Sequence, residues 1–234
     1  MDFSSETYLV IDTVSDEAFF AVYRGAKPLL VHEIWMPRKV LSEMGGFFRR
    51  SLSDSLAVGR EISRVCVAVG PGGFSGSRIG VAAAKSLAFS LGVRVSVFDH
   101  QELLGYCASR ELEGQNSSPI VVVSDARRGQ SHFYVLTTLG RFSETLDNSE
   151  CDRRVRALGQ CVLVGDAAGA LMARLGDDAV AQAAPERLSE LVPGRLGSYF
   201  CELLEVVEAL DPTQVQVRYV RDYQARANFD QARA

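Results

Sequence analysis

"VGPGGFSGSRIG", residues Val69–Gly80, sets glycine at positions 70, 72, 73, 76 and 80 between an apolar run and an alanine-rich one. The local reading is a strand ending at Val69, a glycine turn, and a helix starting near Ser75 or Gly76. Backbone N–H groups at such a start attract anions, which makes Gly70, Gly72, Gly73, Ser75 and Gly76 candidates for a phosphate contact. The glycines serve equally well where φ is positive or where a neighbouring element lies close. Two phosphate-binding patterns do not fit. A P-loop needs lysine after its last glycine, but Gly76 is followed by Ser77 and Arg78. The dinucleotide pattern G-x-G-x-x-G fails because Gly70, Gly72 and Gly76 are too widely spaced.

Working outward, "TYLVID" reads as a buried strand, and "AFFAVYRG" and "KPLLVHEIW" as a hairpin. "PRKVLSEMGGFFRRSL" has helical apolar spacing, weakened at Gly45 and Gly46. "ISRVCVAVG" is a strand. "GSRIGVAAAKSLAFSLG" is a helix ending at Gly92, "VRVSVF" a strand, and "HQELLGYCASREL" a helix with Asp99 as its N-cap. The order is βββαβαβα. Polar "EGQNSSP" then marks a boundary between residues 1–112 and 113–234. Aligned on Asp12 and Asp125, "IDTVSDEAFFAVY" and "SDARRGQSHFYVL" match without a gap, and strand "CVLVGD", helix "AAGALMARLG" and long helix "LGSYFCELLEVVEAL" follow. The pattern predicts a duplicated α/β unit. From Asp211 the tail has an alternating, strand-like piece and a polar end.

Composition narrows the function. With 47% hydrophobic and 23% charged residues the chain is globular, and a formal charge of -4 makes it a poor autonomous nucleic-acid binder. Five dispersed cysteines fit reduced thiols in a cytoplasmic protein better than a disulfide framework or a zinc site. No basic-then-apolar leader opens the sequence, and the apolar runs are too short to cross a bilayer.

Among the other polar residues, Asp12 with Thr13 ends the first strand. That position suits magnesium held through waters, or an Asx turn. Asp125, Arg127 and Arg128 form an acid–base turn. Arg78 lies early in an apolar helix, where a guanidinium requires a carboxylate or carbonyl partner. Lys85 lies further along the same helix. His32, His100 and His132 are scattered, no metal-binding histidine pair exists, and no serine sits in G-x-S-x-G.

Together, "YLVIDT", "VAVGPGGFSGSRIGVAAAKSLA", "SDARRGQSHFYV" and "VRYVR" resemble, in order over nearly the whole chain, the motifs of the TsaB (YeaZ-type) family. The resemblance implies an α/β fold of two actin-like (ASKHA, ribonuclease H-like) halves, with the long late helix packing back on the first. It implies a non-catalytic partner of a TsaD-like transferase that makes N6-threonylcarbamoyladenosine in ANN-reading tRNAs. A TsaE-like ATPase would join, homodimers would form, and tRNA would be met only through the complex. ATP and a metal would belong to the partner subunits, with none in this chain. Asp12, Thr13 and the loop glycines would then be vestiges of a nucleotide site. Arg78, Lys85, Asp125, Arg127 and Arg128 would be structural or interface residues. The family's threonine and serine are replaced here by Ser75 and Gly73, and "MPRKVL" lacks a histidine common at the first helix start. The alternative is an ATP- and magnesium-dependent phosphotransferase or ATPase of the same superfold, with Gly165–Gly169 as its only adenosine-site candidate. A glycopeptidase is a third, weaker reading.

Overall fold

The computed structural model of this chain describes residues 5–15, 18–34, 40–57, 62–111, 118–176, 181–183 and 193–218. Strands β1 (Thr7–Asp12), β2 (Ala18–Arg24) and β3 (Lys27–Ile34) lead to α1 (Val40–Ala57). Then come β4 (Arg64–Ala68), α2 (Phe74–Leu91), β5 (Arg94–Phe98) and α3 (His100–Glu111). The second series is β6 (Ile120–Arg127), β7 (Gln130–Thr137), β8 (Gly140–Asp147), α4 (Asn148–Leu158), β9 (Cys161–Val164), α5 (Ala168–Leu175), β10 (Ala181–Ala183) and α6 (Pro193–Val206). A short strand β11 (Ala209–Leu210) and a 3-10 turn (Pro212–Gln214) complete the described chain. The expected βββαβαβα unit is present twice.

Sheet order shows the duplication directly. The first sheet runs β11-β5-β4-β1-β2-β3 and the second β10-β9-β6-β7-β8. In each, an antiparallel three-strand meander is extended by two parallel strands beside its first member. This is the ribonuclease H-like order of actin-like halves. The β1 run is apolar on both faces because both are covered. Tyr8 and Val10 enter one core with α3 and α6, while Leu9 and Ile11 enter another with α1 and α2. The inner core continues through α3 and α6 to Ile120, Val122, Tyr134, Val162 and Val164 of the second sheet. A third core joins that sheet's far side to α4 and α5. The molecule is therefore layered, with α3 and α6 between the two sheets.

Helix α6 presents Leu196, Tyr199, Phe200 and Leu204 on one face. Phe200 lies 6.0 Å from Tyr23 and 5.4 Å from Phe98, ring centre to ring centre. Burying one such ring stabilises by about 2–3 kcal/mol. Gly197 is needed for this approach, because a Cβ there would overlap the Ala26 backbone. The late helix thus packs on the first sheet.

Some expectations change in detail. The long helix was expected to run to Leu210 but stops at Val206. Ala209–Leu210 instead pairs with the open edge of β5. The strand-like tail piece begins with a 3-10 turn capped by Asp211. Helix α1 runs unbroken through Gly45 and Gly46. The boundary between 112 and 113, the segment from Pro37 to the start of α1, and Tyr219–Arg221 of the late motif lie outside the described residues.

Candidate functional site

Asp12 stands at the C-terminal end of β1 and is 1% exposed. One carboxylate oxygen accepts the Val14 N–H at 3.1 Å, the Asx bond expected for that turn. The other lies 2.7 Å from His100 Nδ1, and both side chains are buried. Burial alone pulls a histidine pKa down. Here the charge and hydrogen bond of Asp12 outweigh burial, with Asp166 and Asp99 adding to them, and His100 is held above its ordinary value. The sequence-chosen Asp12 is thus one half of a buried ion pair.

The other half was missed, and so was its setting. Asp99 caps α3 as expected, one oxygen accepting the Gln101 and Glu102 N–H groups. Its second oxygen accepts Arg218 Nη1 at 2.9 Å. Burial pushes the Asp99 carboxyl up to about 6, against the pull of Arg218. Gln101 Nε2 donates to the His132 carbonyl of β7 at 2.9 Å. Three consecutive residues therefore tie the tail, the first sheet and the second sheet together. Histidine spacing gave no hint of this, because His100 meets an acid 88 positions away. The one usable signal was a carboxylate inside an apolar strand, which requires a buried partner.

The glycine loop folds as strand, turn and helix, with α2 starting at Phe74, just ahead of the expected Ser75. The glycines face backbone. A Cβ on Gly72 would overlap Val14, one on Gly76 would overlap the Thr13 carbonyl, and one on Gly80 would overlap Thr13 Oγ1. The Gly73 N–H donates to Val14 O at 2.6 Å, and Thr13 Oγ1 donates to Gly76 O at 2.7 Å. Gly70 has φ +120°, and an added Cβ would stand 2.7 Å from the Arg218 carbonyl. Lys85 Nζ donates to Val215 O at 3.1 Å and so also holds the tail. Of the loop residues, Gly73, Phe74 and Ser75 face solvent.

Arg78 departs from its expected setting. Its helix is not apolar on that side: Arg78 is exposed, and its guanidinium lies over the exposed Phe74 ring, 3.6 Å from the centroid. The argument from a buried charge falls, and the surface role remains. Phe89, further along α2, is 78% exposed.

In the second half, Asp125 is exposed, accepts the Arg127 N–H at 2.7 Å and pairs with Arg127 Nη1 at 3.0 Å. Its own N–H donates to Asp166 at 3.0 Å. Arg127 and Arg128 both have positive φ, 66° and 57°. Gly165, first residue of the "GDAAG" candidate, has φ +105° and abuts Val123 O. Asp12 has both oxygens engaged, and the loop is filled by Thr13, Val14 and Arg218.

The class defined by these features is a two-sheet α/β protein with the strand order of actin-like halves. Comparison with known proteins agrees with this. The family model described as "TsaD: tRNA N6-adenosine threonylcarbamoyltransferase" matches residues 37–166. The Bacillus subtilis (strain 168) "tRNA threonylcarbamoyladenosine biosynthesis protein TsaB" is 42% identical over 79 residues, which are 34% of this chain and 32% of that one. That match spans only about a third of the curated relative's length. Two Pseudomonas aeruginosa structures share the fold. One is titled as a protein similar to peptidase YEAZ (TM-score 0.69, 20% identity), the other as YeaZ (TM-score 0.67, 19% identity). Each comparison covers 92% of this chain, with 100% and 99% of the respective relatives. The chain belongs to this family and is of the TsaB/YeaZ type.

Proposed function

We propose that this chain is a non-catalytic subunit of a complex that forms N6-threonylcarbamoyladenosine in tRNA, acting as partner of a TsaD-like transferase. Its relatives belong to the formation of threonylcarbamoyladenosine in tRNA, which supports this reading. The observation that supports the subunit role is the occupied strand end: Asp12 is committed to His100, and backbone from two segments packs on the glycine loop. The catalytic residues, ATP and metal then belong to the partners, a TsaD-like subunit and a TsaE-like ATPase. tRNA is met through the assembly, as the net charge of -4 suggests. No helix among the described residues is long and apolar enough to cross a membrane, which suits a cytoplasmic assembly.

The docking surface is the outer side of α1 and α2. Phe74, Arg78 and Phe89 on α2, and Gly45, Arg49 and Arg50 on α1, are exposed there. An exposed aromatic and guanidinium surface of this kind suits a protein partner, either the transferase or a second copy. A standard interface buries about 1,600 Å² in total.

The test is reconstitution with a TsaD-like subunit, a TsaE-like ATPase, tRNA and the threonylcarbamoyl donor. Omitting this chain is expected to abolish modification, and the chain is expected to co-elute with the transferase. Absence of both co-elution and a gain in modification would overturn the reading. Arg78→Ala should weaken co-elution while changing stability by less than about 0.5 kcal/mol, because the site is exposed. Tight Mg-ATP binding by the chain alone in calorimetry would instead favour a phosphotransferase.

A further inference from the structure

Asp211–Arg218 runs from the edge of the first sheet, past α2, to the end of β4, and its two ends are held by different chemistry. The inner end is fixed by packing and a network. Asp211 caps the 3-10 turn, Lys85 Nζ donates to the carbonyls of Thr213 and Val215, and Val215 is 1% exposed within the core of α1 and α2. At the outer end, Arg218 adds two hydrogen bonds, among the described residues, to the packing of Val217 against that core. The Arg218 N–H donates to Val69 O at 2.8 Å, and its guanidinium donates to Asp99. There the Arg218 carbonyl covers Gly70.

We propose that Asp211–Arg218 is a strap over the glycine loop, latched at its outer end by the Asp99–Arg218 ion pair, so that acid frees this end while the inner end stays seated. The carboxylate divides its work between its oxygens. One caps α3 and the other holds Arg218. A proton on the second oxygen removes the latch and leaves the cap acceptor in place, so α3 stays formed. The charged and titratable groups around Asp99 are Arg218 of the strap, His100 beside it on α3, Asp12 on β1 and Tyr134 on β7. Asp12 and burial favour the protonated acid; Arg218, His100 and the Gln101 N–H favour the anion. Burial carries the carboxyl up to about 6, and taking Arg218 away from a carboxyl that α3 keeps buried raises it further, so a proton favours the released end. Opening the latch breaks the Arg218 contacts to Val69 and Gly70.

Two amides report the two ends separately. The Arg218 N–H belongs to the outer end and the Gln214 N–H, donated to Asp211 O, to the inner one. Hydrogen exchange by NMR on the full chain, corrected for intrinsic pH dependence, is followed from about pH 8 to about pH 5. Arg218 protection is expected to fall about tenfold or more on acidification, with Gln214 and the β1 amides unchanged. Asp99→Asn keeps the cap oxygen but not the charge. It should show the low Arg218 protection already at about pH 8 and no further acid response. Equal Arg218 protection in both proteins, or parallel loss at Arg218, Gln214 and β1, overturns the latch. Should Asp99→Asn not fold, the wild-type titration of Arg218 against Gln214 decides alone.

Discussion

Asp12 and Asp125 end the first strand of equivalent halves, yet they lead opposite lives. Asp12 is sealed in the interior against His100, and the turn after it dives onto the glycines of α2. Asp125 is exposed, and its turn is short, with two arginines held at positive φ. The same unit has therefore been used once as a closure and once as a surface. The difference lies in what faces each strand end. Among the described residues, Asp12 meets a histidine from α3, and the neighbouring Asp99 meets Arg218 of the tail.

The sharpest way to break that contrast is substitution of both acids. Asp12→Ala strands His100 without its counter-charge and should cost about 3–5 kcal/mol in urea unfolding. Asp125→Ala should cost under about 1 kcal/mol. Equal losses would erase the distinction between the halves. Next come the glycines. Gly76→Ala should gain helix propensity of about 1 kcal/mol, but its Cβ meets the fixed Thr13 backbone, and a net loss of about 2–3 kcal/mol is expected. Gly129→Ala, with open space around its Cβ but φ +75°, should lose only about 1 kcal/mol. A stable Gly76→Ala protein would mean that the loop stands off β1.

The buried pair also has a pH signature. His100 is raised in the folded state, so its stabilisation is complete below the unfolded value of about 6.5 and is lost as pH rises through the folded value. Urea titrations across this range should show that decline in the wild type and its absence in His100→Gln. An unchanged slope in the variant would assign the decline to other groups. The smallest effect has the opposite sign. Arg128→Gly relieves a left-handed arginine and should stabilise by up to about 1 kcal/mol. A loss instead would show that the arginine side chain contributes more than its backbone strain costs.

Much of the fold was legible because its signals are local. Strands buried on both faces read as unbroken apolar runs, Gly92 stops α2 in the left-handed conformation, and Asp99 caps α3. The repeat was visible from the alignment of the two aspartates. The site was legible only on one side. Asp12 and the glycines announce themselves, but their partners arrive from 88 residues away in the case of His100. Arg218 comes from 119 residues beyond Asp99. No window of sequence contains such a pairing. Arg78 misled for a related reason: residue type along α2 does not say which side of the helix the sheet covers, and its side is open.

The packing of α6 sets the order in which this chain can be completed. The Tyr8 hydroxyl donates to Gly197 O across 189 positions, and the same helix covers Tyr23 and Phe98. During synthesis the first sheet and α3 emerge before α6, and the part of that aromatic face which α6 covers stays open until residues 193–206 have been made. The first half is thus born with an unfinished surface, and a chaperone or a waiting partner has that interval in which to meet it.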